Sequence, residues 1–231
     1  ATVPALPPNR SARPARRTRA NPRDPAMYPG ERFNAMTHLV AASLVLPGAI
    51  VLVVLSALGG DPWKIVGVSV YGVALVLLFT FSTLYHSLRG RAKHVLRKLD
   101  HQGIYLLIAG SYTPFCLVTL RGAWGWSLFG VVWGLAALGS LQELRRRSGA
   151  RIFSLVIYVV MGWLALIALV PLLHALGSAG FAWIAAGGAF YTVGIVFYAL
   201  DTRVTHAHGV WHLFVIAGSG AHYFAILRYV V

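Results

Sequence analysis

From residue 36 onward the chain is a succession of long apolar stretches separated by short polar breaks. Each stretch is close to the 20 residues that a membrane-spanning helix requires. The pattern predicts seven spans, at about 36–58, 64–87, 101–120, 124–142, 152–172, 181–200 and 208–229. No tandem repeat is apparent, and an odd number of helices argues against two equal halves. The fold expected is an all-α integral membrane protein, a seven-transmembrane helix bundle.

Composition points the same way. Of the 231 residues 58% are hydrophobic and 11% are charged. A soluble domain carries about 25% charged residues, so there is too little polar surface here to face water all round. The net charge of +14 would suit nucleic acid if the basic residues formed a patch on a folded domain. They fall instead in the N-terminal segment and in short loops, so nucleic-acid binding is not expected. A single cysteine, Cys116, excludes an intramolecular disulfide framework and a cysteine-rich metal cluster.

Residues 1–30 are set apart from residues 31–231, the helical domain. They hold seven of the eleven prolines, six arginines and one acid, Asp24. A disordered, solvated cytoplasmic tail near anionic headgroups is the expectation. It contains no apolar core of a secretory signal, and its prolines interrupt the amphipathic helix of a transit peptide. The loop charges then set orientation. Seventeen Lys and Arg fall on the side of the N-terminus and three, Lys64, Arg121 and Arg228, on the other. By the positive-inside rule the N-terminus is cytoplasmic and the C-terminus outside.

Ionisable groups at membrane depth are costly and call for an explanation. Orientation brings His38, His86, Asp100, His208 and His212 to a similar depth near the cytoplasmic face, although they are spread over 175 residues of chain. His208 and His212 are spaced i, i+4 and project from one helix face, about 6 Å apart along the axis, which suits one metal ion. His86, at the matching end of the second span, supplies a third nitrogen. Three nitrogens with one open position is the arrangement of a catalytic zinc, and the scarcity of thiolates and carboxylates leaves zinc ahead of other metals that imidazole suits.

Ser82 lies one turn before His86, either bonding back to its own helix or reaching the metal site. Asp100 opens the third span, either as a helix N-cap or as an outer partner or general base for water at the metal. His38 sits at the right depth for a ligand but also reads as a packed histidine. His222, ten residues beyond His212, is off that face and is expected to hydrogen-bond between helices. His94, His101, His174 and His206 are read as loop or helix-end residues. Gly110, Gly162, Gly187, Gly188 and Gly194 are read as sites of close helix approach. Trp63, Trp124, Trp126 and Trp183 are placed in an interfacial belt at the outer ends.

Four stretches in order carry a resemblance: Glu31-Arg-Phe-Asn34-Ala-Met-Thr-His38; Phe-Ser82-Thr-Leu-Tyr-His86-Ser; the run from Leu99 and Asp100 to Thr113 and Pro114; and His208-Gly-Val-Trp-His212. Together they resemble the haemolysin III branch of the progestin and adipoQ receptor (PAQR) family, across residues 31–231. The resemblance implies a seven-helix membrane fold with an inside N-terminus and zinc near the cytoplasmic face. It carries the serine and histidine of S-x-x-x-H onto Ser82 and His86, the aspartate onto Asp100, and the closing pair onto His208 and His212.

The activity it implies is that of a zinc-dependent hydrolase of lipid amides or esters, similar to ceramidases. His86, His208 and His212 would then bind the metal, with Asp100 and Ser82 catalytic, and a membrane lipid substrate or fatty-acid product in the bundle. The alternative is a haemolysin-type channel, or a membrane-lipid homeostasis sensor, with a structural zinc. The expected location is a bacterial plasma membrane, as a multi-pass protein.

Overall fold

The computed structural model describes residues 27–145 and 151–231. The expectation of a disordered tail falls mostly on residues outside these. Among the described residues the regular structure is all helical: α1 (Glu31–Leu58), α2 (Pro62–Ser87), α3 (Gly90–Pro114), α4 (Ala123–Arg145), α5 (Arg151–Trp163), α6 (Leu169–Leu200) and α7 (Ala207–Tyr229). A π-helical turn, Phe115–Thr119, extends α3, and a 3-10 turn, Leu164–Ala168, joins α5 to α6.

Local chemistry sets the breaks. The α1–α2 turn closes on Asp61, whose carboxylate accepts the Trp63 amide at 2.9 Å, with Pro62 in the first helical turn where its missing N–H costs nothing. Pro114 has no N–H to continue the α3 ladder, and the widened turn follows directly. In α6 the backbone leaves helical geometry at Gly177, with φ 66° and ψ 174°, a conformation that glycine adopts without a Cβ penalty.

Neighbours in sequence are neighbours in space, from α1 against α2 round to α6 against α7, and α7 returns to α1. The helices α2, α3 and α7 carry the most buried residues. At Gly110 a Cβ would stand 2.8 Å from the Ala74 Cβ, and at Gly103 it would stand 3.1 Å from the Leu78 Cα, so these glycines set how closely α2 and α3 approach. Gly162 and Gly188, by contrast, face open space and do not serve close packing. Tyrosines tie the bundle together: Tyr71 donates to the Ser219 carbonyl at 3.1 Å, and Tyr112 to the Gly162 carbonyl at 2.9 Å.

The outside of the bundle is apolar. Leu44 is 65% exposed, Leu58 80% and Ile167 66%. A soluble monomer does not present so continuous an apolar exterior. Five helical stretches are long and apolar enough to cross a membrane, among them the 49 residues of 152–200. The protein is an integral membrane protein.

Two helix starts differ most from the sequence expectation: α6 begins at Leu169 rather than near residue 181, its break falling inside the helix at Gly177, and α3 begins well before its apolar span. The third helix begins at Gly90, not near residue 101, because Arg91, Lys93, Arg97 and Lys98 extend it as a polar first part before the apolar span. Asp100 therefore lies ten residues inside α3 and is not its N-cap. His94 and His101 likewise sit within the helix.

Candidate metal centre

Three imidazoles from two helices converge. His208 and His212 rise from the first turns of α7, their ring centres 4.7 Å apart, and the His86 ring near the end of α2 lies 5.0 Å from each. One ligand atom from each of the three lies within 4.8 Å of the others. His86 and His212 are buried, and His208 is partly so.

What holds these rings is a set of acceptors on their Nδ1 atoms. His86 Nδ1 pairs with Glu31 Oε2 from the start of α1. His208 Nδ1 meets Asp201 Oδ2 at 3.0 Å, and His212 Nδ1 meets the Asn34 carbonyl at 3.1 Å. A carboxylate or carbonyl cannot donate, so the proton belongs on Nδ1 in each case and Nε2 is left as a lone pair. His86 Nε2 is buried with no hydrogen-bond partner.

Buried acceptors facing one another without a donor are unfavourable, and a cation among them removes the penalty. Metal-binding histidines are typically anchored through their other nitrogen in just this way. The donor set fits zinc: three neutral nitrogens, and room for a fourth ligand.

Glu31 is itself fixed, accepting from Lys93 Nζ at 2.9 Å and Asn34 Nδ2 at 3.2 Å. Sequence reasoning did not give Glu31, Asn34 or Asp201 these roles. The signal available was scarcity: the chain has only six acids. Asp61 caps α2, Glu143 binds His101 Nδ1 at 2.8 Å, and Glu31 and Asp201 anchor histidines.

The remaining residues singled out divide between site and scaffold. Ser82 is 1% exposed and its hydroxyl has no partner, so it does not bond back to its helix as Thr83 does to the Phe79 carbonyl at 2.7 Å. Asp100 lines the same cavity as Ser82, His208 and His212. The His38 ring stacks on His212 at 3.6 Å, edge-on to Phe79, and neither of its nitrogens has a partner. His222 bonds the Ile184 carbonyl at 3.2 Å, the interhelical contact expected of it. His174 and His206 are exposed, and neither is among the three histidines that converge.

The cavity measures about 470 Å³. Its polar end holds His38, Ser82, Tyr85, Asp100, His208 and His212. Beyond them its wall turns largely apolar, past Leu78, Ile104, Leu107, Phe115 and Val215. That combination suits an amphiphile with its polar group at the histidines and its chain among the aliphatic side chains.

The family described as "Haemolysin-III related" matches residues 27–223. The chain belongs to that family. It is 41% identical over 205 residues to "Hemolysin-3" of Bacillus cereus, covering 87% of this chain and 92% of that protein. It is 40% identical over 202 residues to "Hemolysin-3 homolog" of Bacillus subtilis, covering 87% and 94%. The human "Monocyte to macrophage differentiation factor" is 29% identical over 203 residues, covering 85% and 82%. The haemolysin III assignment drawn from the four motifs is therefore correct, and the family reaches from bacteria to mammals.

Proposed function

We propose that this protein crosses a bacterial plasma membrane seven times, N-terminus inside, and is a zinc-dependent hydrolase of a lipid amide or ester. The observation that carries the reading is the cluster of three anchored imidazoles, two of which, His208 and His212, line a largely apolar cavity. Length supports six of the seven crossings, the five apolar stretches with the longest counted twice, and α3 is proposed as the seventh. At 1.5 Å per residue the 49-residue stretch 152–200 would run about 73 Å, more than twice the hydrocarbon thickness, and Gly177 divides it into two crossings. The charge asymmetry of 17 to 3 supports an orientation with the histidine cluster near the cytoplasmic face.

In this reading His86, His208 and His212 hold the ion. When bound, zinc supplies a Lewis acid for a carbonyl oxygen and acidifies water. Asp100 accepts the proton of the attacking water and returns it to the leaving group. The Ser82 hydroxyl, buried and uncommitted, donates to the developing oxyanion. The aliphatic wall binds the chain and keeps bulk water from the reacting carbonyl.

The test is turnover of lipid amides and esters by the purified protein, beside Asp100→Asn and His212→Ala. Both variants should lose at least about 10²-fold in rate, as expected when a general base or a metal ligand is removed. If variants stripped of metal process lipids as the parent does, the enzymatic reading fails.

A second reading rests on the names of the Bacillus relatives, "Hemolysin-3", which point to membrane damage. It assigns the metal a bracing role and an ion path to the bundle. Ion flux through liposomes reconstituted with pure protein, without lipid turnover, would favour it.

A further inference from the structure

We infer that His222 forms a second polar subsite in the cavity, which accepts a hydrogen bond from a hydroxyl carried well along the ligand's alkyl chain. The inference rests on the reading of the cavity as a lipid site, and not on catalysis.

His222 belongs to the wall of the same cavity as His212, ten residues further along α7. At 1.5 Å per residue the two lie about 15 Å apart along the helix. The surrounding wall is largely aliphatic and aromatic, so an imidazole there needs a reason. Its Nε2 lies 3.2 Å from the Ile184 carbonyl of α6. A carbonyl only accepts, so Nε2 carries the proton and Nδ1 is a bare acceptor.

That acceptor is buried and has no partner among the described residues. The hydroxyls nearby are already committed. Tyr191, whose ring packs 5.5 Å from His222, shares a hydrogen bond of 2.9 Å with Ser219 Oγ. A buried acceptor left unmet is unfavourable.

The ring is also built into place. A Cβ at Gly187 would collide with His222 Cδ2 and Nε2, so α6 makes room for that edge of the imidazole and leaves the Nδ1 edge turned away from α6. The hydrogen-bonding capacity the protein leaves unused at this depth is thus an acceptor, and its complement is a hydroxyl donor. Carbon–carbon bonds of about 1.5 Å in a zigzag advance about 1.25 Å each, so 15 Å from the metal end falls near about the twelfth carbon of an extended chain.

The experiment is displacement of a fluorescent polyene fatty acid from the full chain in detergent by hydroxyoctadecanoates bearing the hydroxyl at carbon 6, 9, 12 or 16. These isomers have equal polarity, so a difference among them reports position alone. The 12-hydroxy isomer should bind about tenfold more tightly than the 6- and 16-hydroxy isomers, the worth of one hydrogen bond. His222→Phe should abolish the preference while octadecanoate still displaces the probe. Equal binding of all isomers would overturn the inference and leave Nδ1 to a buried water. Should His222→Phe not fold, the isomer series on the parent decides alone. Failure of every fatty acid to displace the probe would overturn the lipid reading of the cavity together with this inference. A positional preference without any lipid turnover would sink only the hydrolase.

Discussion

Glu31 receives three donors at once, from His86, Lys93 and Asn34, at the point where α1 enters the bundle. It fixes the tautomer and the angle of the one ligand contributed by α2. Glu31→Ala should therefore weaken zinc binding by about 10–100-fold, measured by competition with a chelator, while helix content is retained. Asp201→Asn should cost less, because an amide oxygen still accepts from His208 Nδ1. Unchanged affinity in Glu31→Ala would mean that the pairing is incidental.

The ligands themselves were legible because histidines at membrane depth are rare and two of them share a helix face. Their anchors were not, since Glu31 is 55 residues from His86 and nothing local marks the pair. Ser82 was ambiguous for a different reason: a serine inside a helix always has a carbonyl one turn back, and only the packed structure shows the bond unmade.

At the level of helices, the apolar runs marked where the chain can cross but not where helices begin. Half of the first ten residues of α3 are basic, and a charged surface helix and a charged loop look alike without tertiary context. The glycines were similarly undivided in the sequence. A Cβ added at Gly110 would stand 2.8 Å from the Ala74 Cβ, whereas one added at Gly162 would meet nothing within 4 Å. Gly110→Leu should wedge α2 from α3 at a cost of about 1–3 kcal/mol. For a chain of this size that is a fall of roughly 2–4 °C in melting temperature per kcal/mol, read in a single detergent. Gly162→Ala should be neutral or slightly stabilising, since alanine favours the helix by about 0.5–1 kcal/mol. Equal losses in the two variants would show that the close approach of α2 and α3 is not set at Gly110.

For the whole molecule, the apolar exterior and the charge asymmetry describe how it sits in a bilayer. The sole cysteine, Cys116, is buried and so does not interfere with labelling. Arg91 and Arg121 are both exposed, on loops or helix ends assigned to opposite faces. In sealed cells a membrane-impermeant maleimide should label Arg121→Cys and spare Arg91→Cys until the membrane is opened. Labelling of both in intact cells, or the reverse pattern, would invert the orientation and move the histidine cluster to the outer face.

The claim beneath all of this is that α2 and α7 share one ion. Zinc-edge X-ray absorption on the purified protein measures it most directly. The expected result is about one zinc per chain with three imidazole nitrogens and one oxygen at about 2.0–2.1 Å, dropping to two imidazoles or to no metal in His86→Ala. A coordination shell that His86→Ala leaves unchanged would contradict it.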